Sequence, residues 1–169
     1  VNGSLTIREA EETDRDAVLG VIEAAFGQRD EATLVERLWA DGAVSLELVA
    51  EQDGVVIGHC AFTLVTSEPP LKGAALGLAP LSVAPTHQNS GVGAALVETG
   101  LDICKTRGAS LMVVLGEPDY YRRFGFEPAS KKNISWAAMD AGDAFQAIDW
   151  AGLAPSPRKI HYHAAFSSV

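Results

Sequence analysis

The chain is poor in cysteine: of its 169 residues only Cys60 and Cys104 are thiols. Both stand among apolar neighbours and neither has metal-ligand spacing. That usage fits a reducing cytoplasm better than a disulfide-stapled secreted domain, and buried structural thiols are expected. Long apolar runs are also missing. No stretch approaches the roughly 20 residues that cross a bilayer, and the start Val1-Asn2-Gly3-Ser4 is not a basic-then-apolar signal, so the chain reads as soluble, with no membrane partner. That start lacks an initiator methionine, as a processed end or a cloning remnant does. Basic residues are the third scarcity. Thirteen Lys and Arg against 22 Asp and Glu leave a formal charge of −9, which disfavours nucleic acid as a partner and accommodates a cationic or amine-bearing one more easily.

Repeats, low-complexity tracts and domain linkers are absent as well, and 47% hydrophobic residues suffice for one domain spanning 1-169 with a full core. Two nucleotide signatures are missing: no G-K-[ST] follows a glycine turn, and there is no G-x-G-x-x-G. No third ligand accompanies His161 and His163, which flank Tyr162 at strand spacing and so share a face; no metal is expected.

What is present is an alternation of helical and strand patterns. Leu5 to Arg8 reads as a short strand. Thr13-Asp14 caps an amphipathic helix with Ala17, Val18, Val21, Ile22, Ala25 and Phe26 on one face, ending at Gly27, and a second helix runs from about Glu31 to Gly42. Two strands, Leu46 to Glu51 and Val55 to Thr66, flank the hairpin signal Asp53-Gly54. After the loop Ser67-Glu68-Pro69-Pro70, a strand from Ala74 to Val83 contains Pro80, which cannot donate to a ladder and marks a bulge or an unpaired edge position. A helix from Gly91 stops at Gly108, and Leu111 to Leu115 reads as a strand buried on both faces. Asp119 to Phe124 forms a short helix or turn. Asn133 to Trp136, Ala144 to Trp150 and Lys159 to Phe166 are strand candidates, with Pro155-Ser156-Pro157 an extended connection.

The segment from Leu81 to Val97 carries chemistry. An apolar strand enters the polar turn Gln88-Asn89-Ser90-Gly91-Val92-Gly93, which opens an amphipathic helix. N–H groups at a helix N-terminus have no intrahelical partner, and glycines let an anion come close, so main-chain groups from Gln88 to Ala94 form a phosphate or pyrophosphate grip. Asn89 and Ser90 could add side-chain bonds.

The turn fits Q/R-x-x-G-x-G, follows Leu81-Ser82-Val83-Ala84-Pro85, and precedes Tyr120-Tyr121-Arg122-Arg123-Phe124-Gly125-Phe126. This combination resembles the GNAT superfamily of acyl-CoA-dependent N-acetyltransferases, and the phrase from Leu115 to Pro128 is similar to its YhbS-like bacterial subgroup. The resemblance covers almost the whole chain and implies an α/β fold, a mixed, splayed sheet flanked by helices, that moves acetyl from acetyl-CoA to a primary amine by direct attack in a ternary complex. It implies that Leu81 and Val83 pair with the pantetheine arm, that an N–H near Ser82 or Val83 polarises the thioester carbonyl, and that Gln88 to Ala94 hold the pyrophosphate. It also implies Tyr121, in preference to Tyr120, as the general acid. The sequence departs from members with a glutamate in the central strand, so the amine's proton falls to Glu117 or to a water chain. An Asn-x-x-Ala segment before the tyrosines is also missing.

Several residues are expected to do less. His59 reads as a packed core histidine, His87 as a surface residue flanking the helix, and Arg122 and Arg123 as a solvated face. Trp39, Trp136 and Trp150 are expected to fill core. The acceptor, a small-molecule or peptide amine, is unnamed by the sequence, and its pocket is expected around residues 26–31, 66–73 and 137–149. A monomer or homodimer is expected. The rival readings are an acyl-CoA-binding regulatory protein without turnover, and an acetyltransferase acting on protein N-termini or lysines.

Overall fold

The computed structural model describes residues 3–154 and 156–168. Val1, Asn2 and Pro155, on which the readings of the chain start and of the Pro155-Ser156-Pro157 connection partly fall, lie outside the described residues. In chain order the elements are β1 (Leu5–Glu9), α1 (Arg15–Phe26), α2 (Asp30–Ala40), β2 (Val44–Gln52), β3 (Val55–Glu68), β4 (Ala75–Val83), α3 (Val92–Thr106), β5 (Leu111–Leu115), α4 (Pro118–Arg122), β6 (Glu127–Pro128), β7 (Ile134–Trp136), β8 (Phe145–Asp149) and β9 (Arg158–His161). The chain divides into two compact units, and the division falls inside β3, β4 and α3.

The first unit comprises the described residues of 1–62, 79–102 and 164–169. β1 pairs antiparallel with β2, from Leu5 opposite Gln52 to Glu9 opposite Leu48. β2 turns into β3 through Asp53 and Gly54, both at positive φ (53° and 78°), as a two-residue hairpin loop requires. Val18 and Ile22 of α1, Ala32 and Val35 of α2 and Val49 of β2 form one apolar cluster. Leu34 and Leu38 pack with Ala165. A Cβ on Gly58 of β3 would lie 3.0 Å from a Leu96 methyl and 3.1 Å from a Val92 methyl, so this glycine lets α3 settle closely on the strand.

The Asp14 carboxylate does not cap α1 as the sequence leads one to expect. A 3-10 turn over Glu12–Asp14 leads into the helix, and α1 has no side-chain cap. The carboxylate instead accepts the Glu11 N–H at 2.7 Å and the Arg8 guanidinium at 2.7 and 2.9 Å. A salt-bridge partner on β1 outcompetes the helix's own N–H groups.

The second unit comprises residues 63–78 and 103–163. β4 and β5 pair in parallel over only three residues, Ala75–Gly77 against Leu111–Val113. β5 and β8 are antiparallel over five, β6 adds to β8, and β9 lies antiparallel to β3 and parallel to β7. The sheet is thus mixed, as expected. Its core gathers Val65, Ala75, Leu111, Val113, Ala129, Ile134, Phe145, Ala147 and Ile160.

Pro80 does not interrupt β4, which runs unbroken to Val83; it stands three residues past the end of the β5 ladder, where no bond to β5 is forfeited. β5 is buried on both faces from Leu111 to Val114, whereas Leu115 is exposed at the strand end. The strand expected from Lys159 to Phe166 stops at His161, because Ala164–Ser168 winds into a 3-10 turn that places Ala165 against Leu34 and Leu38. His163 is therefore off the strand, and the shared face inferred for His161 and His163 fails. His161 lies 3.4 Å from Glu68 instead. The two-residue β6 has no periodicity that a sequence reading could detect.

Candidate functional site

The turn after β4 is built by its own hydrogen bonds. The Ala84 N–H donates to the Ile57 carbonyl at 2.8 Å, and the His87 N–H closes a 3-10 turn on the Ala84 carbonyl at 2.8 Å. Gln88 Nε2 donates to the Val83 carbonyl at 3.0 Å, Thr86 Oγ1 meets His87 Nδ1 at 3.0 Å, and the Ser90 hydroxyl donates to the His87 carbonyl. The Gln88 and Ser90 side chains therefore shape the turn from within, and a ligand bond from the Ser90 hydroxyl hydrogen, one of the contributions expected, is already committed. Likewise the Val83 carbonyl, expected to be free for pairing, already accepts Gln88.

Asn89 and Gly91 adopt positive φ of 59° and 89°. Asn tolerates this region and Gly favours it, so the polar composition of the turn is what its backbone demands. A Cβ built on Gly91 meets nothing within 4 Å, which leaves open space over the start of α3. The first intrahelical bond runs from the Ala95 N–H to the Gly91 carbonyl at 3.0 Å. The N–H groups of Val92, Gly93 and Ala94 precede it at the positive end of a 15-residue helix. Gln88, Asn89, Ser90 and Gly91 are exposed, Gly93 and Ala94 half-buried, and Val92 is buried. Backbone donors, a helix dipole and a cleared approach are what a pyrophosphate needs. On β4 itself Leu81 and Val83 are half-buried, while Ser82 is only 2% exposed and its hydroxyl has no hydrogen-bond partner.

The second unit holds Tyr121 and Glu117 together. The Glu117 carbonyl accepts the N–H groups of Tyr120 and Tyr121 at 3.2 and 3.1 Å, opening α4 with Pro118 in its first turn. The Glu117 side chain is exposed. Tyr121 is 9% exposed, edge-on to Tyr120 (4.9 Å between centroids) and Phe126 (5.7 Å). A Cβ on Gly116 would come within 2.4 Å of its ring, so the glycine ending β5 makes room for the tyrosine. Gln146, 1% exposed on β8, donates to the Gly116 carbonyl at 3.2 Å. Sequence reasoning missed Gln146, since a glutamine in an apolar strand does not declare its partner.

The remaining candidates fall as follows. His59 is fully buried, as expected of a core histidine, with Nε2 2.9 Å from Glu47 Oε2. Trp39 Nε1 donates to the same oxygen at 2.8 Å. Sequence reasoning also missed Glu47, although an acidic residue between Leu46 and Leu48 in a strand is a signal. Arg122 is exposed and pairs with Asp119; Arg123 stacks over Tyr120 at 4.4 Å. None of the three tryptophans is fully buried. Trp136 packs on the core, stands edge-on to Tyr162 at 6.0 Å, and lines a cavity of about 500 Å³ with Met139, Asp140, Asp143 and Phe145, within the 137–149 segment expected to border the acceptor. Cys60 and Cys104 are buried and unbridged, and burial pushes the Cys104 thiol up to about 11. Among the described residues no group of three or more His, Cys, Asp or Glu gathers as metal ligands would, and no helix is long and apolar enough to cross a membrane.

Known proteins resemble this chain in sequence and fold. A profile of the acetyltransferase (GNAT) domain matches residues 6–129. The chain is 36% identical over 137 residues to the uncharacterized N-acetyltransferase YhbS of Escherichia coli, covering 79% of this chain and 80% of that one. To the uncharacterized N-acetyltransferase YjhQ of the same organism it is 35% identical over 128 residues, covering 74% and 71%. Among solved structures, a GNAT family acetyltransferase from Brucella melitensis in complex with acetyl-CoA matches with a TM-score of 0.81 and 36% identity, over 97% of this chain and 99% of that one. YhbS from Escherichia coli in complex with CoA matches with a TM-score of 0.87 and 31% identity, over 98% and 93%. With a profile spanning most of the chain and relatives above 30% identity over more than two thirds of their length, the chain belongs to the GNAT family of acetyltransferases.

Proposed function

We propose that the protein transfers the acetyl group of acetyl-CoA to a primary amine, by direct attack in a ternary complex. The observation that carries this reading is the start of α3: the N–H groups of Val92, Gly93 and Ala94 precede the first intrahelical bond, beside a Gly91 whose Cβ position is open. Such a grip suits the pyrophosphate of CoA, and the relatives crystallised with CoA and acetyl-CoA support the same ligand. Leu81 and Val83 offer main-chain groups to the pantetheine arm, and an N–H near Ser82 or Val83 polarises the thioester carbonyl as an oxyanion-hole donor. Of the two side chains expected to help, Asn89 and Ser90, the second acts by shaping the turn, as the Gln88 side chain does.

Tyr121 is the general acid of this reading. A phenol, with an ordinary pKa near ~10, is matched to a departing thiolate of similar basicity. Its aromatic packing holds the ring in one orientation, so the packing and acid roles reinforce each other. Glu117, an exposed carboxylate beside α4, enters as an acceptor of the amine proton, directly or through water. The buried, unbridged thiols support a reducing, cytoplasmic setting.

The test combines calorimetry with acetyl-CoA and a thiol-release assay across small polyamines, aromatic amines and peptides with free N-termini or lysines. Acetyl-CoA binding with CoA release dependent on an amine is expected. Binding without transfer to any amine would favour the regulatory reading, transfer only to peptides the protein-acetylating one, and no binding at all would refute the proposal.

A further inference from the structure

The cavity of about 500 Å³ in the second unit is one-sided in charge. Asp140 and Asp143 line it, and among the described residues no lysine, arginine or histidine does. Its apolar wall is made by Ile134, Trp136, Met139 and Phe145. The aspartates are exposed and Trp136 is half-buried, whereas Ile134 and Phe145 are 3% and 4% exposed. The carboxylates therefore stand at the mouth and the apolar side chains at the floor. Asp140 Oδ1 accepts the Gly142 N–H at 2.8 Å, which fixes that carboxylate in place. The volume falls within the roughly 300–1,000 Å³ of sites that take a whole small molecule.

Strand register places this floor beside the point where β4 and β5 part. Their ladder ends at Gly77 opposite Val113, and β5 continues to Leu115, which pairs with Phe145 of β8. Val113, Ile134 and Phe145 belong to one apolar cluster, against which Trp136 and Tyr162 pack. Tyr162 stands edge-on to Trp136 at 6.0 Å, and a Cβ on Gly77 would come within 2.8 Å of the Tyr162 ring. The glycine thus lets Tyr162 close down on the last paired residue of β4. The two aromatic rings join that residue to the cavity wall.

We propose that this cavity is the acceptor site and that it takes a small amine carrying a second, non-reacting cation, a diamine or polyamine. The inference rests on the acetyl-transfer reading above. An attacking amine needs its lone pair free, and an alkylamine ordinarily titrates near ~10, as lysine does. A carboxylate beside that nitrogen favours the ammonium form and holds it inert. Asp140 and Asp143 are therefore suited to a nitrogen that keeps its charge throughout, not to the nucleophile. The indole of Trp136 adds the attraction of an aromatic face for that cation, and the formal charge of −9 draws cations toward the protein. The methylene chain lies along Met139 and Phe145, and the reacting nitrogen extends past the floor toward the parting strands, away from both carboxylates.

The test gives the full chain acetyl-CoA and three amines of equal length: 1,4-diaminobutane, 4-aminobutan-1-ol and 1-aminopentane. The far end is then a cation, a neutral polar group or a methyl group. The diamine should exceed both others in kcat/KM by about 10- to 100-fold, mainly through KM. Asp140→Asn combined with Asp143→Asn keeps an acceptor for the Gly142 N–H and removes only charge; it should erase that preference by raising KM for the diamine. Trp136→Leu should reduce the preference by about 3- to 10-fold. Equal rates with the three amines, a preference that survives the double change, or transfer confined to lysine-containing peptides overturns the diamine site and leaves acetyl transfer standing. A wild type that binds acetyl-CoA and acetylates no amine overturns both. If Trp136→Leu fails to fold, the isosteric aspartate changes decide the matter by the same ratio of kcat/KM values.

Discussion

Tyr121, the general acid of the proposed reaction, is held by packing. Its ring stands against Phe126 and Tyr120, and Gly116 is the residue that leaves it room. Tyr121→Phe keeps every ring contact and removes only the hydroxyl. We expect kcat to fall about 10²- to 10³-fold with the acetyl-CoA dissociation constant unchanged, as thiol release and calorimetry would show; an unchanged kcat would return Tyr121 to a packing role. Gly116→Ala places a methyl group within 2.4 Å of the ring, against a neighbour that is itself packed. A loss of about 1–3 kcal/mol in urea unfolding is expected, together with a lower kcat as the ring is displaced. Tyr121 was legible in the sequence because it stands four residues before Gly125 in a recognisable phrase. Gln146, Glu47 and the unpartnered Ser82 hydroxyl were not, because the meaning of a buried polar residue depends on partners brought together by strand register, which no local pattern encodes.

At the scale of elements, the start of α3 and the Asp14 turn make opposite points. The α3 turn was readable because its spacing is imposed by backbone geometry: positive φ at Asn89 and Gly91, then N–H groups at a helix end. Gly91→Ala forces a side chain to φ near 89°, at a cost of about 1–2 kcal/mol. Weaker acetyl-CoA binding by calorimetry and a lower urea midpoint should appear together; a variant with wild-type affinity would remove Gly91 from the grip. Asp14 misled because a capping residue and an ion-pairing residue look alike in sequence. The Arg8 guanidinium, with help from the Glu11 N–H, holds its carboxyl down at about 2, below the ordinary aspartate value of 3.8. A carboxyl depressed in the folded state contributes stability that is present above its unfolded pKa and is lost as pH falls through the folded one. The wild type should therefore lose stability between about pH 4 and pH 2 more steeply than Asp14→Asn, in urea midpoints taken across that range. Parallel curves would deny the pair its role. The short β6 and the early end of β9 were illegible for another reason: elements of two to four residues are defined by their ladder partners and carry no period of their own.

For the whole molecule, the order of strands and helices, the mixed sheet and the family were all within reach of the sequence, since they follow from long periodic segments and from the two phrases around Gly91 and Tyr121. The acceptor was not, because the segments expected to shape its pocket carry no chemistry that spacing alone can name. The cavity beside Trp136, Asp140 and Asp143 and the net charge of −9 both accord with a cationic amine. Acetyl transfer itself is the central claim. The direct measurement is mass spectrometry of an amine panel incubated with acetyl-CoA and the protein, with Tyr121→Phe run beside it. The prediction is an amine gaining one acetyl group in step with CoA release, strongly slowed in Tyr121→Phe. Acetyl-CoA that remains intact with every amine, or an equal yield from both proteins, would contradict it.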